Sequence, residues 1–202
     1  MSKQEDTYLT VDVPGPEILY KDRKSKFFGY VFPITSEDDV KPIIEELKKK
    51  HHTANHVCYA WQLGTDTVRY RANDDGEPNN SAGLPIYGQI QAYNVTNVLI
   101  AVARIFGGTK LGVGGLISAY KTAAQIALDE STIKKKIITQ HYKITFEYKD
   151  MNSVMRVIKQ KNLDIVSQKL EASCSYVISV RKTKANEIFD IFNTMQYIKI
   201  ES

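Results

Sequence analysis

The sequence predicts an α+β protein in two domains, residues 1–131 and 132–202. Three observations carry that expectation. Apolar residues recur with a period of two in some stretches and near 3.6 in others, so strands and helices are mixed along the chain. The last third runs strand–helix–strand–strand–helix–strand, the ferredoxin-like βαββαβ order. The charge is also divided. Residues 1–131 carry 14 Lys and Arg against 16 Asp and Glu, a net −2, whereas residues 132–202 carry 13 against 7, a net +6.

The opening is extended: Ile18–Tyr20 and Phe27–Phe32 are β-prone runs, preceded by the turn residues Pro14-Gly15-Pro16. Val40, Ile43, Ile44 and Leu47 follow at i, i+3, i+4 and i+7, one apolar helix face. Ser36 and Asp39 read as its capping box, with Pro42 set to delay its start. Val57–Leu63 and Val68–Arg71 read as strands, 73–81 as a polar loop, and Ala82–Ala92 as a short helix. Val95–Phe106 is a buried strand, and a glycine-rich loop leads from it into the Ala-rich helix Leu116–Leu128. Beyond residue 131, Tyr142, Ile144, Phe146 and Tyr148 alternate with polar residues. Asp150 caps a helix with Met151, Val154, Met155 and Ile158 on its apolar face. Asp164–Leu170 and Cys174–Val180 are strands, Thr183 starts a helix, and Tyr197–Glu201 closes as a strand.

Composition narrows the function classes. With 43% hydrophobic and 25% charged residues, the chain is no collagen, coiled coil or disordered polymer. Its longest apolar stretch, Val98 to Phe106, is broken by Arg104 and falls short of the ~20 residues of a membrane helix. The polar start MSKQEDTYLT is no signal peptide by this reading. Two cysteines, Cys58 and Cys174, make no disulfide framework and point to a reducing cytoplasm.

Three segments could carry chemistry. His51, His52, His56 and Cys58 form the first. In a strand, His56 and Cys58 share a face and could act as a Cys–His pair, but the spacing lacks a tetrahedral metal set, and no metal or cofactor is expected. A hydrogen-bonded histidine beneath a sheet is the plainer role for His56. The second is the loop with Asp74, Asp75, Glu77 and Ser81 around Gly76 and Pro78. Carboxylates so close either bind a cation, receive a partner's basic residues, or cap backbone amides in a turn. The third holds Gly107, Gly108, Gly112, Gly114 and Gly115 with Lys110, just after Arg104 and ahead of a helix. Free amides and the helix dipole converge at such a start and favour anions, while glycines also serve tight turns and close packing.

Together these segments resemble one family. His56-x-Cys58-x-Ala60-Trp61, Asp74-Asp75-Gly76-Glu77-Pro78 with Ser81-Ala82-Gly83-x-Pro85, and Arg104-x-Phe106-Gly107-Gly108-x-x-Leu111-Gly112-x-Gly114-Gly115-Leu116-x-x-Ala119-Tyr120 look like the IMPACT/YigZ family, with Ser25-Lys26-Phe27 fitting its opening motif. The resemblance implies a first domain with the α+β superfold of ribosomal-protein domains, elongation factor G domain IV and GHMP kinases. It implies a ferredoxin-like second domain similar to elongation factor G domain V. Eukaryotic relatives act in translational control, by competing for the ribosome-associated activator of an amino-acid-starvation kinase. Asn73, Asn80-Ser81 and Ile105 depart from the family pattern; Ser81 keeps a hydroxyl, and Ile105 replaces an aromatic.

The functional expectation is a cytoplasmic, monomeric regulatory or binding protein near translation. Its partners would be RNA, the ribosome or a translation-regulatory protein, with Lys134, Lys135 and Lys136 as nucleic-acid contacts. The alternative is an enzyme on a small anionic or phosphorylated substrate. It would use His56, Cys58, Asp74, Asp75, Glu77 or Ser81 for chemistry and the Arg104–Gly115 segment as the anion cradle. No membrane partner is expected.

Overall fold

The computed structural model describes residues 6–171 and 173–202. They fall into two compact units. One is Tyr8–Lys136; the other is Ile137–Ser202 together with Asp6 and Thr7. This division lies a few residues beyond the expected one at 131, because the strand Ile133–Ile137 (β7) pairs back with the first strand, Thr7–Val11 (β1).

The larger unit is built on a five-stranded sheet of Ile18–Asp22 (β2), Ser25–Pro33 (β3), His56–Leu63 (β4), Arg69–Asn73 (β5) and Val98–Ile105 (β6). The strand order is β2-β3-β6-β4-β5, and every pairing is antiparallel. The central strand β6 is buried along Val98–Ala103 because helices cover both faces. Period-two alternation sorts its residues. Val98, Ile100 and Val102 join Phe27, Val31, Cys58 and Ala60 against the helices Gly83–Ala92 (α2) and Gly112–Asp129 (α3). Leu99, Ala101 and Ala103 join Tyr30, Val57 and Trp61 against the helix Val40–Lys50 (α1). A 3-10 turn, Glu37–Asp39, precedes α1. The Asp39 carboxylate accepts from the amides of Thr35 and Ser36 at 2.7 and 2.9 Å, and these backbone donors lower its pKa. Pro42 sits in the first turn, where a missing N–H leaves no bond unmade.

The smaller unit has the strand order β11-β8-β10-β9. Here β8 is Thr139–Glu147, β9 Asp164–Lys169, β10 Ser173–Arg181 and β11 Lys199–Glu201. With the helices Met151–Lys161 (α4) and Ala185–Asn193 (α5) this is the βαββαβ arrangement. Its core joins Tyr142, Ile144, Phe146, Tyr176 and Ile178 to Val154, Ile158, Ile188 and Phe192.

Three local expectations need correction. The strand read as Val95–Phe106 begins only at Val98; Asn97 turns the chain at φ 58, and Val95 instead bridges to Leu9. The helix read as Leu116–Leu128 begins at Gly112, so the last three glycines of the loop form its first turn. β1 and β7 were not expected at all. Among the described residues no helix is long and apolar enough to cross a membrane.

Candidate functional site

Sheet register places the first three side chains. Arg104 on β6 lies opposite Phe27 on β3 and His56 on β4, one row across the face that α3 covers. Arg104 is only 6% exposed. Its Nη1 donates to Glu77 Oε1 at 2.6 Å, and the Tyr120 hydroxyl of α3 donates to the same oxygen at 2.9 Å. Phe27 and Phe106 lie on the guanidinium, with ring centres 5.6 and 5.5 Å from Cζ. These aromatic faces attract the cation. The Nε of Arg104 is buried and has no hydrogen-bond partner.

The three carboxylates of the 73–81 loop part ways. Asp75 and Gly76 take positive φ values of 41 and 89, and Asn80 does so at 63. These turns point each carboxylate in its own direction. Asp74 Oδ1 accepts from the amides of Ala82 and Gly83 at 3.0 and 2.8 Å, and its Oδ2 from Asn80 at 2.8 Å. It therefore caps α2 from a distance, meeting donors that a helix start leaves unpaired. Asp75 accepts from the Val57 amide and from Lys48 Nζ, both at 2.7 Å. Ser81 donates to the Pro78 carbonyl at 2.6 Å and is fully buried. Only Glu77 turns inward, to Arg104.

Cys58 is fully buried, and its thiol donates to the Asp74 carbonyl and the Tyr120 hydroxyl. Burial pushes the thiol pKa well above its ordinary value, and that of Tyr120 likewise. The thiolate that nucleophilic work needs is thus disfavoured. His56 Nδ1 lies 2.7 Å from the Asp75 carbonyl. A carbonyl only accepts, so in the neutral ring Nδ1 carries the proton and Nε2 is left as an acceptor.

These groups line a cleft of about 440 Å³. Arg104, Glu77 and His56 form its polar part, with Lys110 at the side. Phe106, Leu111, Val113, Leu116 and Pro78 are its apolar walls. The glycines divide in role. A Cβ on Gly107 would meet the Lys24 carbonyl carbon at 2.0 Å, so that glycine is required for close packing. Gly108, Gly112 and Gly114 face open space, with Gly108 and Gly112 at φ 88 and 72. Residues 112–114 are exposed, and the first amides of α3 have no helical partner there.

Other expected residues lie elsewhere. His51 ends α1 and hydrogen-bonds Tyr30, whose hydroxyl also meets Glu17. His52 is exposed in the following turn. Neither joins His56. Lys134 pairs with Asp12 at 3.0 Å, and Lys136 pairs with the same carboxylate. Lys135 projects from the other side of β7. Among the described residues no group of three or more His, Cys, Asp or Glu is placed to hold a metal ion. Two contributors were given no role by the sequence reading. Tyr120 stands out in an Ala-rich helix face, and a buried tyrosine hydroxyl needs a partner. Asn55 accepts from the Phe106 amide through Oδ1 at 3.0 Å and so fixes the end of β6.

Comparison with known proteins agrees with this geometry. Residues 23–128 match the family described as the Impact N-terminal domain. An IMPACT family member from Haemophilus influenzae is 27% identical over 172 residues, covering 83% of this chain and 84% of its own. IMPACT family member YigZ of Escherichia coli is 28% identical over 167 residues, 82% of each chain. Among solved structures, one described only as the crystal structure of a hypothetical protein superposes with a TM-score of 0.71 over 98% of both chains. At 22% identity it bears on the fold alone.

Proposed function

Since the chain belongs to the Impact N-terminal domain family, we propose that it is a translation-associated regulatory protein that acts by binding. One observation carries the choice of binding over catalysis. In the cleft that gathers the motif residues, each group suited to nucleophilic or acid–base work is already committed. Asp74 and Asp75 hold backbone amides, Ser81 holds a carbonyl, and Cys58 is a buried thiol of raised pKa. Arg104, Lys110 and one edge of His56 remain beside apolar walls, a recognition surface. The translation setting is the one that the family resemblance implies, and the cytoplasm is where such a protein works.

The finer contact we favour is the ribosome. Its rRNA phosphates suit a chain of net +4 and pI near 8.9. Of the expected lysines, Lys135 is the better contact, because Lys134 and Lys136 share Asp12. The test is co-sedimentation of the full chain with purified bacterial ribosomes across a KCl series. Phosphate contacts release counterions, so the bound fraction should fall steeply with salt, and Lys135→Glu should lower it at every point. Absence of co-sedimentation at low salt defeats the ribosome reading.

A further inference from the structure

We infer that the Arg104–Lys110 cleft binds a small organic phosphate of nucleoside-monophosphate size, a ligand that the ribosome contact neither requires nor supplies. Four observations converge. Arg104 is more than nine-tenths buried at the cleft, yet its Nε has no partner. An unmet charged donor in such a place is unfavourable, and an anionic oxygen relieves it. Lys110 stands beside it on an exposed loop and makes no ion pair. α3, a helix of 18 residues, starts at the same cleft with its first turn open and two of its glycines facing free space. Backbone amides there are within reach of a phosphate, and the dipole adds to the attraction. Glu77 does not cancel this field, because Arg104 Nη1 and Tyr120 already neutralise it.

The rest of the cleft describes the rest of the ligand. Phe106, Leu111, Val113 and Leu116 form walls without charge. Phe106 is 42% exposed and presents a ring on which a flat group can stack. A volume of about 440 Å³ exceeds what a bare phosphate needs and lies in the usual range for small-ligand pockets. The ligand therefore carries both an anion and an apolar, flat body.

The test is isothermal titration calorimetry on the full chain with AMP, adenosine and inorganic phosphate. AMP should bind at least about tenfold more tightly than either fragment, a difference of about 1.4 kcal/mol. Two variants locate the site. Lys110→Glu reverses a cleft charge. Val113→Asp puts a carboxylate in the first turn of α3, where the helix dipole favours it but a bound anion does not. Each should weaken AMP at least about tenfold, with a thermal midpoint no lower than wild type. No AMP binding at millimolar concentration overturns the inference. So does equal binding of AMP and adenosine, which removes the anion, or of AMP and phosphate, which removes the body. AMP affinity unchanged in both variants also overturns it, because the ligand then sits elsewhere. None of these outcomes alters the ribosome experiment, so the two readings fail separately.

Discussion

Replacing Glu77 by Gln tests whether the Arg104 pair holds the larger unit together. The two side chains are 4% and 8% exposed and meet at 2.6 Å. Removing one partner of a buried pair costs about 3–5 kcal/mol, chiefly because the other charge is left uncompensated. Gln keeps an acceptor for both Arg104 and Tyr120, which places the loss at the lower end, about 3 kcal/mol. For a chain of this length that is a fall in thermal midpoint of roughly 6–12 °C. Differential scanning calorimetry on the full chain reads it directly. Arg104→Met and the double variant complete a cycle. Once both charges are gone, nothing buried is left unpaired, so the double variant should be more stable than the two single losses predict in sum. A Glu77→Gln midpoint within about 2 °C of wild type would refute the reasoning, since no buried charge would then depend on Glu77.

Two further outcomes are expected. Cys58 and Tyr120 have pKa values raised by burial, so their protonated forms favour the folded state. The stability they contribute is complete below the unfolded pKa values, about 8.5 for Cys and about 10 for Tyr, and is lost as pH climbs beyond them. Midpoints measured from pH 7 to 11 should decline from about pH 8.5, and less steeply in Cys58→Ala. A parallel decline in both proteins contradicts the assignment to Cys58. The glycines should also separate by position. Gly107→Ala drives a methyl into the Lys24 backbone and should destabilise by about 3 kcal/mol or more. Gly114→Ala meets nothing within 4 Å and should be neutral, or stabilising by about 0.5–1 kcal/mol. Urea midpoints decide both, and equal losses at the two positions contradict the packing argument.

The parts of this fold that were legible in the sequence are those with a local signal. α1 announces itself by Val40, Ile44 and Leu47 on one face, and β8 by the alternation of Tyr142, Ile144 and Phe146. β1 and β7 lack such a signal. Ile133–Ile137 reads IKKKI, and its reason to be a strand is a partner more than a hundred residues earlier. The site shows the same limit. Residue types named the right segments, but Asp74, Asp75 and Glu77 are equivalent on paper. Their different roles follow from left-handed backbone at Asp75 and Gly76 and from the amides each carboxylate then meets. Arg104 could be singled out in an apolar strand. That it faces Glu77 rather than solvent depends on the pairing register of three strands.

The ferredoxin-like sheet also constrains how a nucleic acid could be held by this protein. Tyr142, Phe146 and Tyr176 all project onto its buried face. Lys143, Thr145, Ser175, Val177 and Ser179 occupy the opposite face of β8 and β10, where Lys143 lies across from Val177 and Thr145 from Ser175. RNA-reading sheets of this topology stack splayed bases on aromatic side chains of the open face. This face gives bases no ring to stack on. Its contribution to RNA contact is therefore limited to hydroxyl and lysine contacts with the backbone, which fix affinity but carry no sequence. Lysines on this unit are also partly committed: Lys149, Lys161, Lys169 and Lys199 each pair with a glutamate. An RNA contact of this kind is weak, tolerant of sequence and abolished by salt, the profile of a protein that docks on a large polyanion rather than one that selects a message.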